Sequence, residues 1–310
     1  MPPLALRFRA VPLPALLGSV ALVCWIALPA AAYARPPQDA GGAKTIPLVD
    51  LPLPQLVRAV PELKKLRPAS SQEPLIIELQ KVGQNVAALF KSLPNVTCRE
   101  KVVESQLGRD GFERARIIQE FNYLILGSGH NLEAGFDEYR TNSKGKQVTP
   151  TGLDAGFLVT QGFVSMPIYF HPQYQPDSRF RYLGQEALRK RQTEVIAFAQ
   201  EPNSQLKEQF VLNGKAVPIL MQGVAWIDNG QIVRLRTSLL AAHPEIGLDW
   251  QSTEIALAPV TFDVGALKLW LPRQVEVETK WKGFVFRNVH SYLHYEIFRV
   301  RAGEGSKPGP

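Results

Sequence analysis

Residues 222–236 read Gln-Gly-Val-Ala-Trp-Ile-Asp-Asn-Gly-Gln-Ile-Val-Arg-Leu-Arg, two apolar runs around Asp228-Asn229-Gly230. Asn-Gly tolerates positive φ at both central positions of a tight turn. The run 219–227 is therefore expected to pair antiparallel with 231–240. Lys282-Gly283 reads as a similar turn between 269–281 and 284–300. Arg189-Lys190-Arg191, the one basic run, reads as a solvated hairpin turn.

Working outward, further strands are expected at 96–107, 117–126, 133–140, 179–185, 192–200, 209–212 and 254–263. They alternate, as where Ile117, Phe121, Tyr123 and Ile125 fall on one face. Short connections join about ten such strands, which predicts an antiparallel meander with no βαβ unit. A sheet of that width must curl to satisfy its twist. The expected fold is α+β, mainly β: a curled antiparallel sheet forming a half-open barrel with one or two packed helices.

One helix is expected after Pro74, where Leu75, Ile76, Leu79, Val82, Val86, Leu89 and Phe90 recur at three- and four-residue intervals. A second is expected over 152–170 from the spacing of Leu153, Phe157, Leu158, Phe163 and Ile168. Residues 35–74 are rich in proline and short of periodicity, and read as a linker or loosely packed arm. A short helix over 56–66 is the one regular element expected there. The resulting division is a signal segment at 1–34, the arm at 35–74, a single half-barrel domain at 75–301 and a disordered tail at 302–310.

Arg7 and Arg9 precede an uncharged run from Ala15 to Leu28, and Ala32-Tyr33-Ala34 offers the small residues that a signal peptidase reads. The run is shorter than the roughly 20 residues that cross a bilayer. Export to the periplasm or cell envelope is expected. Cys24 lies inside the apolar run, away from the cleavage point, which argues against lipid attachment. Losing Arg7 and Arg9 and no acid takes the net charge from +7 to +5. Bases and acids are interspersed, as in Arg99-Glu100-Lys101, so no nucleic-acid surface is expected. Cys98 is then the one cysteine left, and its expected place is the core.

No catalytic signature is found. Gly-x-Ser-x-Gly, His-Glu-x-x-His and a dinucleotide fingerprint are all missing, and Gly127-Ser128-Gly129 lacks the lysine and helix of a phosphate loop. His290 and His294 on a strand stand roughly 13 Å apart, too far to share a metal ion. Neither a metal nor a cofactor is expected. The strands instead carry unusual aromatic weight, among them Trp226, Trp270, Trp281, Phe286 and Tyr292.

The pair Gln222–Asp228 and Ile232–Leu235, with the later Leu269-Trp270-Leu271-Pro272 and the strand 288–298, resembles the bacterial outer-membrane lipoprotein-sorting proteins. That resemblance implies an unclosed antiparallel barrel whose helices lid an apolar cavity for acyl chains. It assigns the apolar strand faces to the cavity. The expected function is a non-enzymatic exported protein that binds a lipid or a lipoprotein acyl chain. By alternation, the expected lining residues are Phe121, Tyr123, Ile196, Phe198, Trp226, Val275, Val277 and Trp281. The alternative is an envelope structural or protein-interaction module with a filled core, its proline-rich arm reaching a partner. An exported hydrolase with an unfamiliar site is a third reading.

Expressed in an exporting bacterial host, the protein is expected to lose residues 1–34. Intact-mass measurement of the secreted form would then begin at Arg35, and retention of the segment would replace export with anchoring.

Overall fold

The structure, a computed structural model, describes residues 46–127, 136–148, 162–212, 215–263 and 267–298. The signal segment, residues 35–45 of the arm, the C-terminal tail and most of the second expected helix lie outside these residues. At the described end of that helix, Met166–Phe170 forms a 3-10 turn.

In chain order the strands are β1 (Arg67–Pro68), β2 (Val96–Leu107), β3 (Glu113–Leu126), β4 (Asp137–Thr141), β5 (Ser178–Leu188), β6 (Arg191–Gln200), β7 (Glu208–Leu212), β8 (Lys215–Ile219), β9 (Met221–Asp228), β10 (Gln231–Leu239), β11 (Leu248–Thr261), β12 (Lys268–Trp281) and β13 (Phe284–Ile297). Eleven of them form one unclosed antiparallel sheet in the order β1-β5-β6-β9-β10-β11-β12-β13-β2-β3-β4. The remaining two, β7 and β8, form a separate hairpin. The curled half-barrel expected from the sequence is therefore the observed architecture.

Three hairpins turn on residue pairs at positive φ: Arg189 and Lys190 (47° and 67°), Asn229 and Gly230 (48° and 76°), and Lys282 and Gly283 (49° and 79°). Turns of this hand match the right-handed twist of the flanking strands. Arg189-Lys190 adopts the conformation without the help of glycine.

The expected meander is corrected in two respects: the strand expected at 209–212 lies in the separate β7–β8 hairpin, and the order along the main sheet is not sequential. The final strand, β13, pairs with β2, so the first three long strands extend the sheet beyond the last one. The pairing joins residues nearly 190 positions apart, as His290 with Val102 and Tyr292 with Glu100. No local turn signal encodes such a contact. At the opposite edge β1 closes on β5, where a Cβ on Gly184 (φ 127°) would stand 2.0 Å from the Arg67 carbonyl oxygen. Only glycine allows that approach.

Alternation decides the two faces. On β6, Ile196 and Phe198 point to one face while Val195, Ala197 and Ala199 point to the other; on β9, Ala225 and Ile227 oppose Val224 and Trp226. The first, inner face packs against helix α2 (Pro74–Ser92) through Val82 and Val86 and against the Met166–Phe170 turn. Ile76, counted in the apolar stripe, stays exposed near the start of the helix.

The second, outer face is covered by the segment read as a loose arm. Its residues 46–66 are packed: Leu48, Val49, Leu56, Val60 and Leu63 are buried against Leu183, Val195, Val224, Trp226 and Val233. The short helix there is α1 (Leu53–Ala59), followed by a 3-10 turn at Pro61–Lys65. Prolines stand in the first turn of both, where the missing N–H is not needed. They punctuate helical turns, and composition alone made them look like a linker.

Polar clips fasten this strap. Asp50 takes a two-pronged bond from Arg179 (2.7 and 2.9 Å), Leu48 N–H donates to Gln222 (2.7 Å), and Arg236 reaches Glu62 (2.6 Å). Arg234 lies over the Trp226 ring at 4.8 Å and bonds Glu254 at 2.7 Å, while Trp226 Nε1–H donates to Glu186 at 2.9 Å. Trp226 is thus fully buried on the strap side, away from the inner face to which it was assigned.

Leu56→Ala should lower stability by about 2–5 kcal/mol, as for a fully buried leucine, read as a lower urea midpoint. An unchanged midpoint would show that the strap does not contribute to the fold.

Candidate functional site

α2 crosses the inner face and comes to rest on the β9–β10 turn, where a Cβ on Gly230 would stand 2.7 Å from Asn85 Nδ2. Gln175 holds the helix from the other side, donating to the Leu79 and Phe170 carbonyls (2.9 and 2.8 Å). Gly83 lets the helix approach this segment, since a Cβ there would meet Gln175 at 2.7 Å.

Between the C-terminal half of α2 and the rim of the sheet lies a cleft of about 260 Å³. Its apolar wall comes from Val86, Leu89, Ile232, Leu257, Leu269 and Trp270. Asn85, Ser92, Gln231 and Lys268 add polar atoms at its rim. The volume falls just under the usual range of roughly 300–1,000 Å³ for small-molecule sites.

None of the eight residues chosen by alternation lines this cleft. Tyr123, Ile196, Phe198, Val275 and Val277 share the inner core, and Trp281 packs against it. Phe121 is buried with the Arg140 guanidinium 5.7 Å from its ring centre. Trp226 is corrected to the outer face. The middle of the inner face is filled from within the chain: Tyr169 stacks on Phe198 at 4.8 Å and Phe170 meets it edge-on at 5.6 Å. The cleft residues lie where α2 and two strand ends meet, a juxtaposition that alternation along single strands does not reveal.

A second feature is polar. On the inner face of β2, β3, β4 and β13, Glu100 takes a two-pronged bond from Arg140 (2.5 and 2.8 Å), both almost wholly buried. His290 Nδ1 lies 2.9 Å from Glu100, and Tyr292 donates to the same oxygen at 3.0 Å. Tyr123 donates to Glu138, which also accepts the Gly162 N–H (2.8 Å). Phe163 sits edge-on to His290 at 5.0 Å.

Burial alone would raise the Glu100 carboxyl, but the bonds and charges of Arg140 and His290 prevail and hold it at about 2. Burial lowers the His290 pKa against the pull of Glu100. The Glu100 carboxylate can only accept, so His290 donates its Nδ1–H to it. Glu104, four residues from Glu100 along β2, has an Oε2 with no hydrogen-bond partner, and burial raises it to about 7. Buried polar groups fix a unique arrangement when satisfied and cost stability when not. Among the described residues, no group of three or more His, Cys, Asp or Glu side chains is placed to hold a metal ion.

No family model matches the chain, and no curated protein matches it. The chain is similar to several solved structures, two of which follow. A DUF1329 family protein from Desulfovibrio piger ATCC 29098 has 10% identity and a TM-score of 0.38, covering 74% of this chain and 95% of its own. An outer membrane lipoprotein-sorting protein domain from Vibrio parahaemolyticus has 9% identity and a TM-score of 0.39, covering 74% and 94%. The second is of the kind that the strand pair 222–235 resembles.

The Glu104 carboxyl holds its proton more tightly in the folded chain than its ordinary 4.5. Its contribution is therefore full below 4.5 and is lost as pH rises through about 7. Glu104→Gln should make stability less dependent on pH across that window. Urea denaturation at the two ends of the window tests this, and an unchanged pH slope would remove Glu104 as its source.

Proposed function

We propose that this protein is an exported, non-enzymatic component of the periplasm or cell envelope that binds an apolar chain, a lipid or lipoprotein acyl group. The observation that carries the reading is the aliphatic cleft between α2 and the ends of β10 and β12. The cleft is bounded by a helix that packs on the inner core through Val82 and Val86, rests on the Gly230 turn and is held from its other side by Gln175. Moving α2 would expose Val82 and Val86 together with the inner core that they cover. Such a surface takes a flexible hydrocarbon without specific polar partners. Lys268 and Gln231 at the rim suit a polar or anionic headgroup.

The filled middle of the inner face, with Tyr169, Phe170 and Phe198 in mutual contact, supports a second reading. In it the interior is permanently dry and the protein is an envelope structural or interaction module. The packing of residues 46–66 onto the sheet leaves that part of the arm no freedom to reach a partner.

Native mass spectrometry of the mature protein, purified gently from its own envelope, separates the two readings. Bound acyl lipid is expected. Leu89→Trp should fill the cleft and weaken binding of a fluorescent fatty-acyl probe by about tenfold or more, or 1.4 kcal/mol. A lipid-free protein that also refuses the probe would overturn the lipid reading in favour of the filled module.

A further inference from the structure

β3 runs for 14 residues, but β4 covers only Asn122–Leu126. Among the described residues, the stretch 115–121 has β2 on one side and no strand on the other. Among the described residues it is a free sheet edge.

The backbone groups it presents follow from one bond. Val148 N–H donates to the Arg140 carbonyl at 2.8 Å, so Arg140 directs its N–H and C=O away from β3. The Tyr123–Arg140 pair is then the non-bonded kind, and Asn122–Thr141 is the pair that exchanges hydrogen bonds. Even-numbered residues of β3 therefore turn their N–H and C=O away from β2. At the free edge these are Arg116, Ile118 and Glu120.

The side chains of the same three residues stand on the outer face. Ile118 is 52% exposed, an unusual state for a central strand residue. Arg116 and Glu120 flank it, both exposed, and neither takes part in an ion pair among the described residues. Free edges are normally blunted by a bulge, a proline or charges that repel a second strand. This one carries opposite charges placed symmetrically about an aliphatic side chain.

We propose that the edge pairs with the same edge of a second copy of this chain, about a two-fold axis at Ile118. In that register Ile118 meets its own mate, and Arg116 of each copy stands opposite Glu120 of the other, on both sides of the axis. All three outward residues exchange both backbone bonds with the second strand. Neighbouring registers are worse. Centring on Arg116 opposes two arginines, centring on Glu120 opposes two glutamates, and centring on Ile117 sets Ile118 against Arg116. The register irregularity between Gln106 and Leu107 places Arg114 outside the regular ladder. In this register position 114 falls opposite Asn122, which already pairs with Thr141 of β4, so the pairing ends at Arg116. One strand pair of this length is a small interface, so the dimer is weak and depends on concentration.

Sedimentation of the mature chain up to about 0.1 mM, where weak association registers, tests the proposal. The wild type is expected to dimerise. Arg116→Glu and Glu120→Arg should each weaken the dimer tenfold or more, and the two together should restore it. All these side chains are exposed, and thermal melts confirm that each variant is folded. Ile118→Cys should form a disulfide with itself under mild oxidation, since bonded partners stand about 5.5 Å apart at Cα, within disulfide range. A chain that stays monomeric overturns the proposal, as does a dimer that tolerates either charge reversal or fails to cross-link at position 118.

Discussion

Strands β6 and β9 are apolar on both faces, and the rest of the structure answers that constraint. The run Val195-Ile196-Ala197-Phe198-Ala199 has no solvent side, nor does Val224-Ala225-Trp226-Ile227. A sheet with such strands inside it needs cover above and below, because apolar area left in water costs roughly 25 cal/mol per Å². α2 and the Met166–Phe170 turn cover the inner face, and residues 46–66 cover the outer one. The strap is therefore part of the folded unit. Its ion pairs, Arg236–Glu62 and Arg179–Asp50, fix where it lies while the apolar contacts hold it there.

The other half of the sheet is built differently. β2, β4 and β13 turn Glu100, Glu104, Arg140, His290 and Tyr292 inward, all buried. Charges taken from water must be paired, and Glu100 meets that demand by binding Arg140, His290 and Tyr292 together. Glu104 does not, which makes it the titratable weak point of this half. The inner face thus runs from aliphatic at the α2 cleft to ionic under β4. An apolar guest is suited to the first region alone. The bare outer rim of β3 lies on the ionic half, so the cleft and the pairing edge occupy separate parts of the molecule.

The resemblance of 222–235 to lipoprotein-sorting proteins has a physical content that the structure supplies. The Trp-Ile-Asp segment and the following arginine meet as Arg234 over the Trp226 ring, with Glu186 accepting the indole N–H. These residues bind the strap to the sheet. They serve the fold on the face opposite the cleft.

Much of the fold was legible in the chain because its determinants are local. Asn229-Gly230 and Lys282-Gly283 specified their turns through backbone conformation, alternation marked the strands, and Val82 and Val86 marked the buried side of α2. What the tertiary structure alone decided depends on contacts between distant segments. The pairing of β13 with β2, the burial of a proline-rich segment and the Glu100–Arg140–His290 cluster have no signature at short range. Alternation states that neighbouring residues on a strand face opposite ways, but not which way is inward. For β9 both faces are apolar, so Trp226 could be assigned to the inner face on the same evidence as Ile227. Only the positions of the strap and of α2 distinguish the two.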